Sequence, residues 1–366
     1  MKRCLQITAS LRIGGAEKVA RDIGINARRL GYEVNYLVFG DEVCGYEQEL
    51  ESGGCRMIHI PAPSESYSRY LNTLKRLMRE NQYTVVHAHT MFNIGWAMLA
   101  ARQCGVPIRI AHAHSALNNG RGLKKTIYEK LMRSLILHNA TDLVACGDAA
   151  GIRLFGKTAY EKRGKCILNG IKVDQFAFNE EARYRLRERL KLQDAFVIGH
   201  VGHLATVKNQ SFLIRLMPQI LEKKPNAMLL LLGDGEDRDK LEKMILEMKL
   251  EDRVMLTGNV RNVPDYLSAM DVFAFPSLFE GMPLSIVEVQ ANGLPCVLST
   301  GVPQDVFLTD LLTPVSLDEP EQWVKLICEA ERKEPLRYAA ELQKQGFDSA
   351  AVMKKYLDLY TRKVKN

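Results

Sequence analysis

Residues 272–295, VFAFPSLFEGMPLSIVEVQANGLP, contain a strand pattern, a polar turn and a helix pattern in succession. VFAFPS is a short apolar run bounded by a turn, which predicts a buried strand. SIVEVQAN is predicted to be a helix, because Pro283 suits a first helical turn, Gly293 suits the position just past the last turn and Pro295 prevents continuation. This order of strand, turn and helix is typical of a parallel α/β sheet.

The turn between this strand and helix carries the first candidate binding residues. Free N–H groups and the helix dipole favour an anion such as phosphate at a helix N-terminus. Glu280 lies just before the turn and Glu288 about one helical turn inside, so the two carboxylates are about one ligand length apart instead of touching. Such carboxylates can accept hydrogen bonds from the hydroxyls of a sugar or ribose, although Glu288 could also simply cap or solvate the helix. The turn residues proposed to approach the anion are Gly281, Met282, Pro283 and Leu284.

The rest of the chain alternates similar apolar runs with helical patterns, which predicts an α/β fold. A length of 366 residues exceeds what one core usually serves, so we expect two Rossmann-like domains facing across a cleft, at residues 1–172 and 173–348. Residues 349–366 are predicted to hold a final helix, at about 349–363, which could pack back on the first domain. The predicted strands are CLQITA, VNYLVF, VVHAH, IRIAHAH and DLVACG, then FVIGHVG, AMLLLLG, VMLTGN, VFAFPS and PCVLS.

Composition indicates a cytoplasmic globular protein. The apolar fraction is 46%, and no run approaches the roughly 18 apolar residues of a membrane-spanning helix. Arg12 interrupts the only apolar stretch near the start, which argues against a signal peptide. The eight cysteines are scattered and include no Cys-x-x-Cys pair, which argues against a disulfide framework or a zinc site.

Positive charge is concentrated in the first half. Residues 1–175 hold 25 Lys and Arg against 15 acidic residues, a net charge of +10, whereas residues 176–366 hold 25 against 28, a net of −3. This asymmetry predicts an anionic partner on the first half, either nucleic acid or an acidic membrane. Nucleic acid is not expected, because no basic run is interleaved with aromatics.

One segment of the first half, RGLKKTIYEKLMRSLILH at 121–138, bears on the membrane hypothesis. An apolar stripe with lysines elsewhere is the pattern of an interfacial helix, and equally that of a packed surface helix. The stripe residues are Leu123, Ile127, Leu131, Ser134 and Leu135.

Paired glycines and clustered histidines are the other candidates in the first half. Gly14 and Gly15 precede a predicted helix and allow close approach of an anion, although no G-x-G-x-x-G is present. The alternation of a strand places His87 with His89, and His112 with His114, on one face, which is a pattern that could bind a metal. No ligand of another type has fitting spacing, so we predict no metal. We expect His87, His89 and His112 to be satisfied by backbone carbonyls or packing.

Glu280 and Glu288, separated by seven residues, resemble the hallmark of retaining glycosyltransferase family 4, which has the GT-B fold. IGHVGHLATVKNQSFLI is similar to that family's first donor loop, and NGIKVDQF to its interdomain connector. LLLLGDGEDRDKLE and MLTGNVRNVPDYLSAMDVFAFPS are similar to its intervening segments. The chain is most similar to the bacterial exopolysaccharide and capsule branch.

The resemblance implies roles for the second half. Glu280 would bind sugar hydroxyls, Glu288 would bind the nucleotide ribose, and the backbone of residues 282–284 would lie along the diphosphate. Lys208 matches the lysine that neutralises the diphosphate, but the position of the accompanying arginine is occupied by His203. A histidine supplies positive charge there only if the phosphate raises its pKa.

The resemblance also implies roles for the first half. His114, followed by Ser115, matches a histidine that approaches the transferred sugar, and Gly14 and Gly15 match glycines that face the donor phosphates and the acceptor. Asp237-Arg238-Asp239 looks like the metal–nucleotide motif of the other large glycosyltransferase fold, but it opens a helix pattern, so we predict helix capping.

These features together predict a retaining hexosyltransferase that uses a nucleotide-sugar donor, with UDP as the favoured nucleotide, and needs no cofactor or metal. The predicted acceptor is a hydroxyl of a lipid-linked glycan in exopolysaccharide or capsule biosynthesis, and the enzyme could lie peripherally on the membrane. The predicted catalytic residues are His114, Lys208 and Glu280. The alternatives are a two-domain nucleotide-sugar epimerase and a non-catalytic sugar-nucleotide-binding subunit. A dinucleotide dehydrogenase lacks support because the third glycine of its fingerprint is missing.

Overall fold

The computed structural model describes residues 2–12, 14–43, 45–115 and 122–361. It divides into two compact units, unit 1 with residues 1–170 and 350–366, and unit 2 with residues 171–349. Ile13, Cys44 and Arg121, and the end of the predicted final helix at 362–363, lie outside the described residues.

Each unit is built on one parallel sheet. The sheet of unit 1 has the order β3-β2-β1-β4-β5-β6-β7, and that of unit 2 the order β10-β9-β8-β11-β12-β13. The strands of unit 1 are β1 (Lys2–Ile7), β2 (Tyr32–Phe39), β3 (Arg56–Ile60), β4 (Val85–Ala88), β5 (Ile108–Ala113), β6 (Asp142–Ala145) and β7 (Gly164–Cys166). Those of unit 2 are β8 (Phe196–Val201), β9 (Ala227–Leu232), β10 (Val254–Gly258), β11 (Val272–Phe275), β12 (Cys296–Ser299) and β13 (Leu312–Val315).

Helices connect the strands, as parallel pairing requires. The helices that precede β8 in the sequence are α1 (Gly15–Arg29), α2 (Glu47–Ser52), α3 (Tyr67–Asn81), α4 (Ile94–Gln103), α5 (Leu123–Asn139), α6 (Asp148–Phe155), α7 (Lys157–Arg163), α8 (Val173–Phe176) and α9 (Glu180–Leu190). The remainder are α10 (Gln210–Lys223), α11 (Arg238–Glu247), α12 (Val263–Ala269), α13 (Leu284–Ala291), α14 (Pro320–Glu329), α15 (Pro335–Lys344) and α16 (Ser349–Thr361).

The core of unit 1 includes the last helix. Tyr356 and Tyr360 of α16 are buried in one cluster with Cys4 of β1 and Tyr36 of β2. The hydroxyl of Tyr32 donates to the Tyr360 carbonyl at 2.8 Å. The final helix therefore belongs structurally to the first sheet, although unit 2 precedes it in the chain.

Unit 2 buries apolar side chains on both faces of its sheet, which is why its strands are continuous apolar runs. Trp323 of α14 is fully buried on one face and Phe273 and Phe275 of β11 on the other. The two-sided burial of β11 fixes the end of that strand, from which the turn at residues 276–283 leaves the sheet.

The predicted α/β class with two Rossmann-like parallel sheets is confirmed, and each of the ten predicted strands is present. Three short strands were not predicted: β3, β7 and β13. Among the described residues, no helix has the length and apolar character needed to cross a membrane. The seven described cysteines are free thiols.

Candidate active site

The turn after β11 is held by the loop that follows β8. The Leu278 amide donates to the Val207 carbonyl at 2.8 Å, and the Asn209 side-chain amide donates to the Pro276 carbonyl at 3.3 Å. Pro283 was predicted inside the first helical turn, but it lies just before the helix with φ −74° and ψ 106°, and α13 begins at Leu284. Gly293 lies just past the helix end with φ +65°, as predicted.

Lys208 and Glu280 meet at the junction of these two loops. The Lys208 ammonium is 2.6 Å from a Glu280 carboxylate oxygen, and the side chains are 19% and 10% exposed. The same ammonium lies 5.1 Å from the centre of the Phe275 ring. A charge-assisted hydrogen bond in partial shelter from water is stronger than a surface ion pair, so the two side chains hold each other in place.

The remaining predicted residues of unit 2 lie along the start of α13. Gly281, Met282 and Leu284 are partly exposed and Pro283 is buried. Glu288 is partly buried on α13, about 6 Å along the helix axis from Leu284. The first N–H groups of a helix have no partner within it, so this end of α13 offers backbone donors and positive dipole charge beside Lys208.

His203 contacts a carboxylate that sequence analysis did not single out. Its Nε2 lies 2.8 Å from the carboxylate of Glu236, and the side chains are 62% and 67% exposed. The pKa of Glu236 is lowered, first by its own backbone N–H and then by the hydrogen bond with His203. Exposed carboxylates in turns are common, so the sequence carried no signal for this pair.

The loops after β8 and β9 are packed backbone to backbone. Leu204 N donates to the Asp234 carbonyl and Asp237 N to the Leu204 carbonyl, each at 3.0 Å. Gly233 has φ +132°, and a Cβ there would lie 2.0 Å from the Gly202 carbonyl oxygen, so only glycine fits. The position of His203 and Lys208 therefore depends on glycines in the neighbouring loop.

The predicted capping by Asp237 is only half right. Asp237 does precede α11, but its side chain makes no capping hydrogen bond. It instead accepts from the Thr206 hydroxyl at 2.9 Å and lies 3.8 Å from the Lys240 ammonium. Asp237 thus supports the loop that carries Lys208.

In unit 1, Ala16 and Glu17, which directly follow the paired glycines, line a cavity of about 400 Å³. Gly14 lies just before α1, and a Cβ on the exposed Gly15 would meet no atom within 4 Å. Glu17, in the first turn of α1, lines the cavity with His89 and His114. Burial raises the pKa of the Glu17 carboxyl. Glu17 was not singled out from the sequence, and its carboxylate occupies part of the helix N-terminus predicted for an anion.

The four histidines of β4, β5 and the residues after them form one cluster, in which His87, His89 and His112 are buried and His114 is partly exposed. His87, His89 and His112 were predicted to be satisfied by backbone carbonyls or packing. The rings do pack against one another, but their nitrogens bond to side chains and not to backbone carbonyls. Burial lowers the pKa of His87 and of His114 to about 3 and holds those of His89 and His112 well below their usual value.

Three of these histidines have the geometry of a metal site. One ring nitrogen from each of His87, His89 and His112 lies within 4.8 Å of the others. Both nitrogens of each ring, however, are in hydrogen-bonding contact with neighbouring side chains. The network thus gives every one of these nitrogens a partner without an ion.

The stripe predicted on 121–138 lies on the outer side of α5. Leu123, Ile127 and Leu131 are 78%, 58% and 51% exposed, so they do not form a packed face. Lys124 and Lys130 are also exposed. α5 uses another face, with Met132 and Ile136, to contact the protein.

Two family profiles match the chain. The one described as "Glycosyl transferases group 1" matches residues 183–346, and the one described as "Glycosyl transferase 4-like domain" matches residues 14–156. The first match contains Lys208, Glu280 and Glu288, and the second contains Gly14 and His114.

Individual proteins are similar over most of the chain. The putative glycosyltransferase EpsF of Bacillus subtilis is 33% identical over 336 residues, covering 90% of this chain and 88% of that protein. The UDP-Gal:alpha-D-GlcNAc-diphosphoundecaprenol alpha-1,3-galactosyltransferase of Escherichia coli is 30% identical over 67% of this chain and 64% of that protein. The crystal structure of HepE of Anabaena in complex with UDP superposes with a TM-score of 0.79 at 21% identity, over 98% of this chain and 99% of that one.

Proposed function

The chain belongs to the group 1 glycosyltransferases and is a hexosyltransferase, and from this premise we propose a donor, an acceptor and a mechanism. The donor is a UDP-sugar, the acceptor is a hydroxyl of a lipid-linked glycan, and the transfer retains the anomeric configuration. The observation that carries the proposal is the contact between Lys208 and Glu280 beside the start of α13.

This contact brings together the two kinds of group that a nucleotide-sugar needs. The Lys208 ammonium supplies positive charge for a diphosphate, and the N-terminus of α13 supplies backbone donors next to it. The Glu280 carboxylate accepts hydrogen bonds from sugar hydroxyls. Since the carboxylate and the ammonium hold each other in place, the sugar and the diphosphate would bind in a fixed relation.

Further roles follow from the family resemblance. Glu288 would accept from the ribose hydroxyls, and the backbone of residues 282–284 would follow the diphosphate. In unit 1, His114 would contact the transferred sugar. The paired glycines, Gly14 and Gly15, would face the donor phosphates and the acceptor. His203 would donate one hydrogen bond to the diphosphate, in place of the arginine that the family places there.

The proposed reaction needs no nucleophile from the protein. The bond between the anomeric carbon and the diphosphate oxygen breaks, and the acceptor oxygen bonds to that carbon on the same face. The acceptor proton passes to the departing diphosphate. The protein stabilises the charge that develops on the diphosphate, which is the task of Lys208 and the start of α13.

Two comparisons support the choice of substrates. The Escherichia coli relative is named for a UDP-sugar donor and a diphosphoundecaprenol-linked acceptor, and HepE was solved with UDP. The net charge of +10 on residues 1–175 suits an acceptor that carries a diphosphate and lies at an anionic membrane.

Peripheral membrane binding is the second part of the proposal. Leu123, Ile127 and Leu131 form an exposed apolar row along α5, and Lys124 and Lys130 are exposed on the same helix. An apolar row flanked by lysines is the arrangement that binds in the interface of an anionic bilayer. We propose that α5 holds unit 1 at the surface where a lipid-linked acceptor is embedded.

The role of Lys208 is tested by Lys208→Ala. We expect kcat to fall by about 10²–10³, since removing one preorganised group from such a site typically has that effect. Lys243→Ala is the matched control, because Lys243 also pairs with a glutamate of unit 2, at 3.7 Å, but is 76% exposed on α11. A thermal-shift panel of UDP-, GDP- and ADP-sugars first selects the donor, since a ligand at 100 times its Kd adds about 2.7 kcal/mol of stability.

Release of UDP is then measured with and without a lipid-linked N-acetylglucosamine diphosphate acceptor. Turnover of Lys208→Ala equal to that of the control would contradict the assigned role. Conversion of the sugar without any acceptor would favour the epimerase. Binding of a UDP-sugar without transfer or hydrolysis would favour a non-catalytic subunit.

A further inference from the structure

A continuous chain of hydrogen bonds runs from the C-terminal helix through the histidine cluster of unit 1. Its first half begins at a backbone carbonyl. The Tyr356 hydroxyl donates to the Ile167 carbonyl at 3.1 Å and lies 3.4 Å from Nε2 of His112. Nδ1 of His112 lies 3.1 Å from Nε2 of His87, and Nδ1 of His87 lies 2.9 Å from the Tyr360 hydroxyl.

The second half of the network passes through the side-chain amide of Gln6 and ends at the cavity of unit 1. The Gln6 side-chain nitrogen donates to the Tyr360 hydroxyl at 2.7 Å, and the Gln6 side-chain oxygen lies 2.9 Å from Nε2 of His89. Nδ1 of His89 lies 2.7 Å from Nε2 of His114. Nδ1 of His114 has no hydrogen-bond partner among the described residues. Both His89 and His114 line the cavity of unit 1.

The Ile167 carbonyl sets which atom donates and which accepts in each hydrogen bond of this network. A carbonyl can only accept, so the Tyr356 hydroxyl must use its proton there and accept from Nε2 of His112. A neutral imidazole carries one proton, so Nδ1 of His112 is an acceptor, and Nε2 of His87 must be its donor. Nδ1 of His87 then accepts from the Tyr360 hydroxyl.

The same rule carries the direction to the last histidine. The Tyr360 oxygen accepts from the Gln6 nitrogen, so the Gln6 oxygen faces His89 and accepts the hydrogen bond from its Nε2–H. Nδ1 of His89 is then an acceptor for Nε2–H of His114. His114 is left with its proton on Nε2 and a lone pair on Nδ1.

The opposite direction would give up one hydrogen bond. Reversal requires a flipped Gln6 amide and protons on Nδ1 of all four rings, so the Tyr356 hydroxyl would have to donate to His112. The Ile167 carbonyl would lose its donor. Nδ1–H of His114 would become a buried donor without a partner, which also disfavours this state.

The direction holds only for neutral rings, and the surroundings of the four rings keep them neutral. His87, His89 and His112 are buried and His114 is partly exposed, and desolvation lowers the pKa of each. At neutral pH, therefore, each ring carries a single proton, whose position is set by its neighbours.

We propose that this network of hydrogen bonds, the histidine relay, fixes His114 in the Nε2–H form and keeps its buried Nδ1 unprotonated beside the cavity of unit 1. Tyr356, Tyr360 and Gln6 are positioning residues that act through the histidines. The direction of the relay does not depend on the proposed function.

The direction of the relay is tested by NMR of protein labelled with ¹⁵N only in histidine, which has eight histidines. In the wild type, His87, His89, His112 and His114 should all show a protonated Nε2 and an unprotonated Nδ1. Tyr356→Phe removes the anchoring donor while keeping the ring. The two directions then have nearly equal numbers of hydrogen bonds, so the Nδ1–H form of His114 should rise by several-fold to about tenfold.

A second variant and a control keep this test independent of folding defects. Gln6→Met removes the oxygen that accepts from Nε2–H of His89, and it should also raise the Nδ1–H fraction of His114. Tyr70→Phe is the control, because Tyr70 is another buried tyrosine of unit 1 whose hydroxyl has no partner among the described residues. Tyr70→Phe should leave all four histidine signals unchanged. An Nδ1–H form of His114 in the wild type, or no response to either relay variant, would overturn the proposal.

A metal ion is the competing explanation of the cluster. A stoichiometric zinc ion that shifts the His87, His89 and His112 signals would overturn the relay, because a nitrogen bound to metal cannot hold the relay hydrogen bond. If no nucleotide-sugar is turned over but the NMR pattern is as expected, the proposed function fails and the relay stands.

Discussion

His203 occupies the position where the related family carries an arginine, and the structure supplies it with a partner, Glu236. In a nucleotide-sugar complex this carboxylate would lie near the diphosphate that His203 is proposed to contact. The pair therefore brings a negative charge toward an anion, and the Nε2 of His203 is already bonded to that charge.

We expect His203→Arg alone to raise kcat/KM only a little, because the new guanidinium would first pair with Glu236. His203→Arg combined with Glu236→Gln should raise it by about 10–100-fold, the value of one added charge-assisted hydrogen bond. Steady-state kinetics of both variants, with Glu236→Gln alone as the control, measure the difference. An equal gain in the single and double variants would show that Glu236 does not compete.

The sequence motif supplied the identities of Glu280 and Lys208 but not their contact, because they are 72 positions apart in the chain. The histidines show the same limit. Strand alternation correctly placed His87 and His89 on one face, yet Tyr360, the partner of His87, comes from the last helix, 273 positions away. Gln6 was a usable signal, since it is a polar residue within the buried strand β1.

At the scale of elements, the three strands that the sequence did not predict all lie at sheet edges. β3 is only partly buried, β7 has three residues, and β13 contains Pro314, which is tolerated only where no ladder partner is needed. Central strands are buried on both faces and give long apolar runs, so they were predicted, as was the edge strand β10 from VMLTGN. The three edge strands that were not predicted lack such a run.

The helix α5 is the element whose sequence pattern left two explanations open, and its exposure favours the interfacial one. Burying one exposed leucine or isoleucine in a bilayer is worth about 1.5–3 kcal/mol, and each lysine near an anionic surface adds about 1 kcal/mol. Three apolar residues and two lysines are thus sufficient for reversible binding.

We expect the protein to float with liposomes that contain anionic lipid and to remain unbound with neutral ones. Ile127→Glu and Leu131→Glu should each lower the bound fraction at least about tenfold, because they remove apolar area and add a repelled charge. Leu246→Glu is the matched control, since Leu246 is 63% exposed on α11 of unit 2. Binding that does not depend on anionic lipid, or an equal loss in the control, would contradict this role for α5.

At the scale of the whole molecule, histidines with a lowered pKa are unevenly shared between the described parts of the two units. Unit 1 holds the four of the relay, and unit 2 holds His200, whose pKa burial lowers to about 4. A histidine has a pKa of about 6.5 in the unfolded chain. Between that value and the lowered pKa in the fold, the unfolded chain binds more protons, so the free energy of unfolding falls as the pH falls.

We therefore expect unit 1 to lose stability first as the pH falls from about 6.5 toward 4. Each lowered histidine contributes up to about 1.4 kcal/mol per pH unit, so the four in unit 1 should give a slope several times that of unit 2. The chain has two tryptophans, Trp96 in unit 1 and Trp323 in unit 2. Trp323→Phe and Trp96→Phe leave one reporter in each unit, and urea unfolding followed by fluorescence at several pH values gives the two slopes. Parallel slopes would mean that the relay histidines take up protons in the folded state, which would contradict the neutral cluster on which the direction of the relay depends.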